Sequence, residues 1–414
     1  MKALVIGGGI GGITTALMLH QRGIECEVFE QAGELRELGV GITLQTHSVK
    51  ELAGIGLLDA MEANAINSRH LYFYTRRGQL VWDEPRGLSA GYDVPQYFVH
   101  RGRLQGLLYA AMHERLPASA VHLDRRLVEF TQDETGVKAT FADKDGNRST
   151  ARGDLLIGAD GIHSVVRGQL YPEQGPPRWS GLMLWRGAVE WPDFHDGASV
   201  MILGGVDTKF VAYPIAEGSM NGRKLTNWAA IVRLAPDGSP LPSKQNWSQE
   251  GLRAQLTPLL DRFQSDVIDI KELVAATETF WEYPMCDRDP VPGWSSGRVT
   301  LLGDAAHPMY PMGANGASQA IVDARCLADA LAAVDPANIP SALAAYAAER
   351  LPLTSAIVLS NRKGGPESVI DAVEARAPDG FDDIEQIMSR EERMAIMQGY
   401  AKNAGFARSQ VARQ

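Results

Sequence analysis

Residues 2–6, KALVI, form a short unbroken apolar run, the pattern of a strand covered on both faces. Glycines at 7, 8, 9, 11 and 12 interrupt it. ITTALMLHQRG then places Ile13, Leu17 and Leu19 on or near one side of a helix that Gly23 stops. IECEVFE alternates into a second strand ending at Glu30. Strand, glycine turn, helix and strand in about 30 residues make a βαβ unit, which predicts a parallel sheet.

Period-two alternation takes over further on. LYFYTRRGQLVWDEPRG (71–87) predicts an aromatic-rich hairpin turning at Arg77-Gly78. A helix over about 101–115 follows, then strands near 120–130 and 137–142, with a polar turn around 143–147. GLMLWRGAVEW, ASVMILG, KFVAYPI and LTNWAAIVRL, separated by Gly, Pro and Asp, predict a mostly antiparallel sheet across 179–289. From about 290 the earlier style returns, with RVTLLGDAA as a strand and SQAIVDARCLADALAA as a helix. Beyond 361 the pattern is mixed in charge and mostly helical, and Ser389 with Glu392 fits a capping box. The expected architecture is α/β, with a Rossmann-like domain built from 1–70, 98–178 and 290–360. An inserted β-sheet domain takes 71–97 and 179–289, and a helical segment takes 361–414.

Composition narrows the classes. A chain of 414 residues is long for one core, which agrees with two domains. The net charge of −10 argues against nucleic acid or an anionic membrane as partner, since both reward basic patches. Cys26, Cys286 and Cys326 are scattered without a CxxC pair, which fits a reducing cytoplasm. No uninterrupted apolar run approaches the ~18–20 residues of a membrane span. The N-terminus faintly mimics a signal peptide, but its glycines break the apolar stretch and it reads as mature sequence.

Three motifs carry candidate chemistry. Gly7-x-Gly9-x-x-Gly12 opens the first helix: one glycine for the tight turn, one for backbone approach to a pyrophosphate, one for helix–strand packing. Glu30 follows 18 residues after Gly12, where an acid accepts from a ribose hydroxyl. Together they predict dinucleotide binding, NAD or FAD. The second motif, DLLIGADGIHSVVR (154–167), ends a strand at Asp160-Gly161; its plain reading is a strand-to-helix connection capped by Ser164. The third, GDAAHPMYPMGANG (303–316), puts Asp304 at the C-terminal edge of a strand and gives an amide-rich turn through Gly313 and Gly316. His307, between Ala306 and Pro308, is a candidate base whose commoner role is packing.

GxGxxG with Glu30, GADGIHSVVR and LLGDAAHPMYPMGANGASQAIVDA, in that order, resemble the single-component (group A) FAD-dependent aromatic hydroxylases of the para-hydroxybenzoate hydroxylase superfamily. The likeness covers nearly the whole chain. It implies that Gly7, Gly9 and Gly12 hold the FAD pyrophosphate and Glu30 the adenosine ribose. Arg101 would touch the phosphate and ribityl region, with Arg103 its rival, and Arg36 is a further cofactor-binding candidate. Asp160 would serve FAD and NAD(P)H, and Asp304 the ribityl chain. Pro311 and Gly313 would flank the reactive flavin face, and the amides of Gly316, Ala317 and Ser318 the pyrimidine edge. Within the superfamily, LGVGI (38–42), WDEPRG (82–87), PQYFVHRG (95–102), LWRG (184–187), VAYPI (211–215), YPMCDRDPVP (283–292) and MYPMGANGASQAI (309–321) resemble the 5-methylphenazine-1-carboxylate 1-monooxygenase subfamily.

The resemblance implies an NAD(P)H-consuming monooxygenase that transfers a hydroxyl from a flavin C4a-hydroperoxide to an electron-rich aromatic ring. The reaction is decarboxylative where the attacked carbon carries a carboxylate. NADH or NADPH binds transiently, O2 is the co-substrate, and the chain is a monomer or homodimer. Trp185, Met201, Tyr213, Trp228 and Tyr283 are the expected pocket residues, as flat apolar walls with a tyrosine handle. Tyr213, Pro311 and Gly313 are the expected catalytic positions. Arg186 would pair a carboxylate, but alternation puts Trp185 and Arg186 on opposite faces, so they do not both line the pocket. The alternatives are a non-decarboxylating phenol or hydroxybenzoate hydroxylase, a flavin-dependent halogenase or reductase, a simple NAD-dependent dehydrogenase, and a non-catalytic FAD-binding sensor. The halogenase WxWxIP signature is absent from the sequence.

Overall fold

The computed structural model describes residues 1–34, 40–242, 249–405 and 407–411. Its first sheet has six strands in the order Ser295–Ser296, Val299–Leu301, Leu155–Gly158, Lys2–Ile6, Glu25–Phe29 and Val121–His122. All pairings are parallel except the edge pair Ser295–Ser296 with Val299–Leu301. Ala3, Leu4 and Val5 are fully buried, as the continuous apolar run demands. Helix Ile10–Gln21 packs against helix Gly316–Ala332 and helix Arg101–Arg115. The first and last motifs of the sequence are therefore neighbours.

A second sheet has seven strands, in the order Phe280–Asp287, Arg178–Pro192, Arg223–Arg233, Thr208–Glu217, Ser199–Leu203, His70–Tyr74 and Leu80–Pro85. It is antiparallel but for one parallel pair, Ser199–Leu203 with His70–Tyr74. Both faces of this sheet are covered. One packs under the short helices between Arg253 and Ala276, where Leu256, Leu260, Phe263, Leu273 and Val274 meet Trp185, Met201, Phe210 and Trp228. The other turns partly toward the first sheet and partly packs under the C-terminal segment, where Phe73, Ile202 and Ile215 meet Val369, Ile370 and Val373.

The tail is helical. Ser389 and Glu392 form the capping box that starts helix Arg390–Asn403. One feature differs from the sequence reading. The stretch Pro336–Asn361 is long and apolar enough, by length and composition, to span a membrane. Its Leu343, Tyr346, Ile357 and Val358 are buried in the fold, and Arg350 donates to Asp323 at 2.7 Å. Glu349 and Arg350 interrupt the apolar residues at its middle, which is why the sequence shows no unbroken run there.

Candidate active site

A cavity of about 440 Å³ opens between the two sheets. One wall is made by the C-terminal ends of three adjacent parallel strands. Gly9, Ile10 and Gly11 follow Lys2–Ile6, Ala159 and Gly161 follow Leu155–Gly158, and Leu302 to Asp304 follow Val299–Leu301. Ligands of open α/β sheets bind at this edge because successive loops diverge there. The opposite floor is the inward face of the seven-stranded sheet, carrying Leu184, Arg186, Ile202, Lys209, Val211 and Tyr213.

The three motif glycines divide their work as their spacing predicts. Gly7 has φ +112°, and a Cβ there would lie 2.3 Å from the Ala159 carbonyl oxygen. A Cβ on Gly12 would lie 1.9 Å from the Gly7 oxygen, so this glycine closes helix on strand. At Gly9 a Cβ would meet nothing within 4 Å, and Gly9 lines the cavity. That is the site of backbone approach, at the mouth of a helix whose amides favour an anion. Glu30 accepts from the amides of Gly8 at 2.6 Å and Ala32 at 2.8 Å, which fixes the turn and leaves it outside the cavity lining.

Asp304 lies deep in the molecule, yet its side chain is solvent-accessible because it faces the cavity. No protein hydrogen bond to its carboxylate occurs among the described residues. Burial raises its pKa, while His307 and Arg101 pull the other way. Arg101 opens helix Arg101–Arg115 and points into the cavity, whereas Arg103 is exposed on the outer surface. Burial lowers the pKa of Arg101, and nearby Arg186 lowers it further. Gly316 and Ala317 line the cavity at the start of helix Gly316–Ala332. Ser318 sits behind them, its Oγ accepting from the Gln45 amide at 3.0 Å. Pro311 and Gly313 both face the cavity. Arg36 falls outside the described residues.

Asp160 does different work. Its Oδ2 accepts from the Val165 amide at 2.7 Å and its Oδ1 from the Ser164 hydroxyl, which braces the start of helix Val165–Leu170, whose N-cap is Ser164, accepting from the Arg167 amide at 2.9 Å. Only its neighbours Ala159 and Gly161 reach the cavity. Arg167 in the same motif is 2% exposed and braces the third motif, donating to the carbonyls of Ala305 at 2.9 Å and Ala306 at 2.7 Å. His307 is turned away from the cavity. Its Nε2 lies 2.6 Å from Asp323, whose other oxygen accepts from Arg350. It packs and fixes the loop, as its commoner role suggests.

The expected pocket residues need correction. Tyr213 lines the cavity, but Trp185, Met201 and Trp228 lie on the far face, buried in the core under the helices of 253–276. Trp185 Nε1 donates to Glu282 at 2.9 Å and Trp228 Nε1 to Thr277 at 2.8 Å, so both indoles are used structurally. Alternation held, and Arg186 took the inward place that the aromatic had been given. Tyr283 does not line the cavity. Its hydroxyl accepts from Arg186 Nη1 at 3.0 Å, while Nη2 donates to the Gly41 carbonyl at 2.7 Å. Arg186 Nε has no partner among the described residues. Burial pushes Tyr213 up to about 12, against the pull of Arg186.

Lining residues that escaped the sequence reading include a buried ion pair. Lys209 shares parity with Val211 and Tyr213 on one strand, a signal that was there to be used. It forms a buried ion pair with Glu367, which arrives from the C-terminal segment with no motif to announce it.

The FAD binding domain family model matches residues 1–360. Phenazine 1,6-dicarboxylic acid hydroxylase of Lysobacter antibioticus is 43% identical over 366 residues, 87% of this chain and 88% of that protein. The 3-amino-4-hydroxybenzoate 2-monooxygenase of Streptomyces cremeus is 32% identical, covering 98% of this chain and 96% of its own. Among solved structures, Klebsiella pneumoniae HpxO complexed with FAD and uric acid superposes with a TM-score of 0.75 at 26% identity, over 98% of this chain and 96% of that one.

Proposed function

The chain belongs to the FAD binding domain family and is an FAD-dependent aromatic monooxygenase; from that premise we propose that its substrate is an anionic, electron-rich fused-ring carboxylate of the phenazine type. NADH or NADPH is the transient electron donor and O2 the co-substrate. The charge of the cavity carries the reading. Arg86, Arg101, Arg186 and Lys209 line it with Asp304 and Glu367; Lys209 pairs with Glu367 and Arg86 with Glu84 at 2.7 Å, which leaves Arg101 and Arg186 facing Asp304 in a chain of net charge −10. Local positive excess on an acidic protein favours anionic ligands. The chemistry of the relative acting on a phenazine dicarboxylic acid supports the ring class.

Bound FAD supplies oxygen activation and hydroxyl transfer to the ring. The chain binds, orients and excludes water. Gly9 and the helix mouth behind it would receive the pyrophosphate, Arg101 would supply a cation to it, and Asp304, without a protein donor among the described residues, would accept from ribityl hydroxyls. Glu30 keeps lone pairs for the adenosine ribose beyond those used by Gly8 and Ala32. Pro311, Gly313 and the first amides of helix Gly316–Ala332 border the ring system. Arg186, tethered by Tyr283 and Gly41, pairs with a substrate carboxylate, and Tyr213 remains a protonated donor to a substrate oxygen or ring nitrogen. Where the attacked carbon itself carries a carboxylate, the bond to carbon dioxide breaks and its electron pair returns to the ring. The three free cysteines, all buried, and the need for NAD(P)H support a cytoplasmic site of action.

Purified protein should be yellow and release FAD on denaturation. NAD(P)H oxidation and oxygen uptake should rise with phenazine carboxylates and hydroxylated or amino-substituted aromatic acids, with carbon dioxide measured alongside. Equal stimulation by uncharged analogues of the same rings refutes the anionic reading. Hydroxylation without carbon dioxide refutes the decarboxylative step alone, and a colourless protein that binds only nicotinamide refutes the whole.

A further inference from the structure

Tyr310 to Gly316 line the cavity, and several of their polar groups are held from the C-terminal segment. Asn361 Nδ2 donates to the Tyr310 carbonyl at 2.9 Å. The Tyr400 hydroxyl lies 3.1 Å from the Met312 carbonyl and accepts from Asn315 Nδ2 at 2.9 Å. Glu367 accepts from the Gly313 amide at 3.3 Å, and its other oxygen pairs with Lys209 in the sheet floor. Asn361, Glu367 and Tyr400 are all buried, and Tyr400 lies 3.0 Å from Asn361 Oδ1, which joins two of the three contacts.

The loop is held in part from within, by the Ala314 amide on the Pro311 carbonyl at 3.0 Å and Asn315 Nδ2 on the Gly313 carbonyl at 2.9 Å, with Gln45 Nε2 reaching that same carbonyl at 3.1 Å, yet its backbone is strained. Gly313 at φ +68° and Ala314 at φ +51° both sit in the left-handed region, unfavourable for an L-residue such as Ala314. The fit is also close. A Cβ on Gly313 would lie 2.4 Å from the Tyr400 hydroxyl, and one on Gly365 would lie 3.1 Å from Met312 Cβ.

We propose that Asn361, Glu367 and Tyr400 are positioning residues that set the cofactor-facing conformation of residues 310–316, which makes the C-terminal helices part of the active site. This rests on the reading that FAD lies against Pro311 to Gly316. Lys209 belongs to the device because it pairs with Glu367 at the cavity edge, where both side chains are almost wholly buried.

Tyr400→Phe removes one hydroxyl and keeps the ring. In the holoenzyme it should raise the FAD dissociation constant about tenfold and shift the visible flavin absorption. It should also lower kcat with little change in substrate KM, the pattern of a misplaced reacting group. Glu367→Gln, which leaves an acceptor for Gly313 but removes the carboxylate opposite Lys209, should move the spectrum the same way. Arg393→Met is the control. Arg393 is buried on the same helix and donates to the Val81 carbonyl at 2.7 Å, far from the loop in sequence and contact. It should lower the thermal midpoint and leave FAD affinity and spectrum unchanged. Wild-type spectrum and FAD affinity in both Tyr400→Phe and Glu367→Gln overturn the proposal, as does an equal shift in Arg393→Met. A wild-type protein that takes up no FAD overturns the cofactor reading itself.

Discussion

Arg186 offers the sharpest test of substrate class, because its guanidinium is held in place by the protein and still has donors to give. Nη1 and Nη2 each use one N–H on Tyr283 and Gly41, and Nε has no partner among the described residues. Its field already disfavours the charged form of Arg101 across the cavity, so an anion entering there relieves repulsion between two cations. Arg186→Gln removes the charge and keeps one donor, on a shorter side chain that ends near the place of Nε. A hydrogen bond to a charged group is worth about 1.5–3 kcal/mol. The variant should therefore lose about 10- to 150-fold in kcat/KM for an aromatic carboxylate. The assay is steady-state NAD(P)H oxidation with product quantified, run on a carboxylate and on the same ring without it. The uncharged ring should be affected less than about threefold, well below one charge-assisted bond. FAD content should be unchanged, since Arg186 lies on the sheet floor and not at the strand ends. Arg186→Lys should recover part of the loss, though not the bidentate geometry. If both substrates lose activity equally, Arg186 supports the wall and does not read the carboxylate.

Asp304→Ala should lose FAD affinity by about 1.5–3 kcal/mol, since ribityl hydroxyls lose a charged acceptor; unchanged flavin content in the purified variant would count against that role. Tyr213→Phe should retain FAD and lower the fraction of NAD(P)H consumption that appears as product. Because burial pushes Tyr213 up to about 12, its hydroxyl stays protonated below that pH, and the rate profile should show no Tyr213-dependent inflection between neutrality and about pH 10. A wild-type alkaline limb that vanishes in Tyr213→Phe would contradict this. Gly12→Ala places a Cβ 1.9 Å from the Gly7 oxygen and should sharply reduce the yield of folded protein, read as soluble expression and thermal midpoint.

Much was settled locally. An apolar run, glycines at fixed offsets and an acid closing the next strand can do little but build a βαβ unit with a close-approach turn, because helix–strand packing at Gly12 tolerates no side chain. Period-two alternation likewise determined that Trp185 and Arg186 part company, and that Lys209, Val211 and Tyr213 share a face. What alternation does not encode is which face becomes cavity. Both faces of the seven-stranded sheet are covered, one by the helices of 253–276 and the other by the Rossmann-like layer together with the C-terminal helices, so aromatic richness marks burial without saying under what. The helices settle it by closing over Trp185, Met201 and Trp228, leaving the arginine and tyrosine to the ligand. Asp160 was equally ambiguous until the helix it braces was in place. The meeting of Glu367 with Gly313, and of Tyr400 with Met312, spans 54 and 88 residues and follows no motif. Only the packing of the last helices against the cavity loop brings those groups together, since contacts at such separations depend on the whole chain's path and on no local preference.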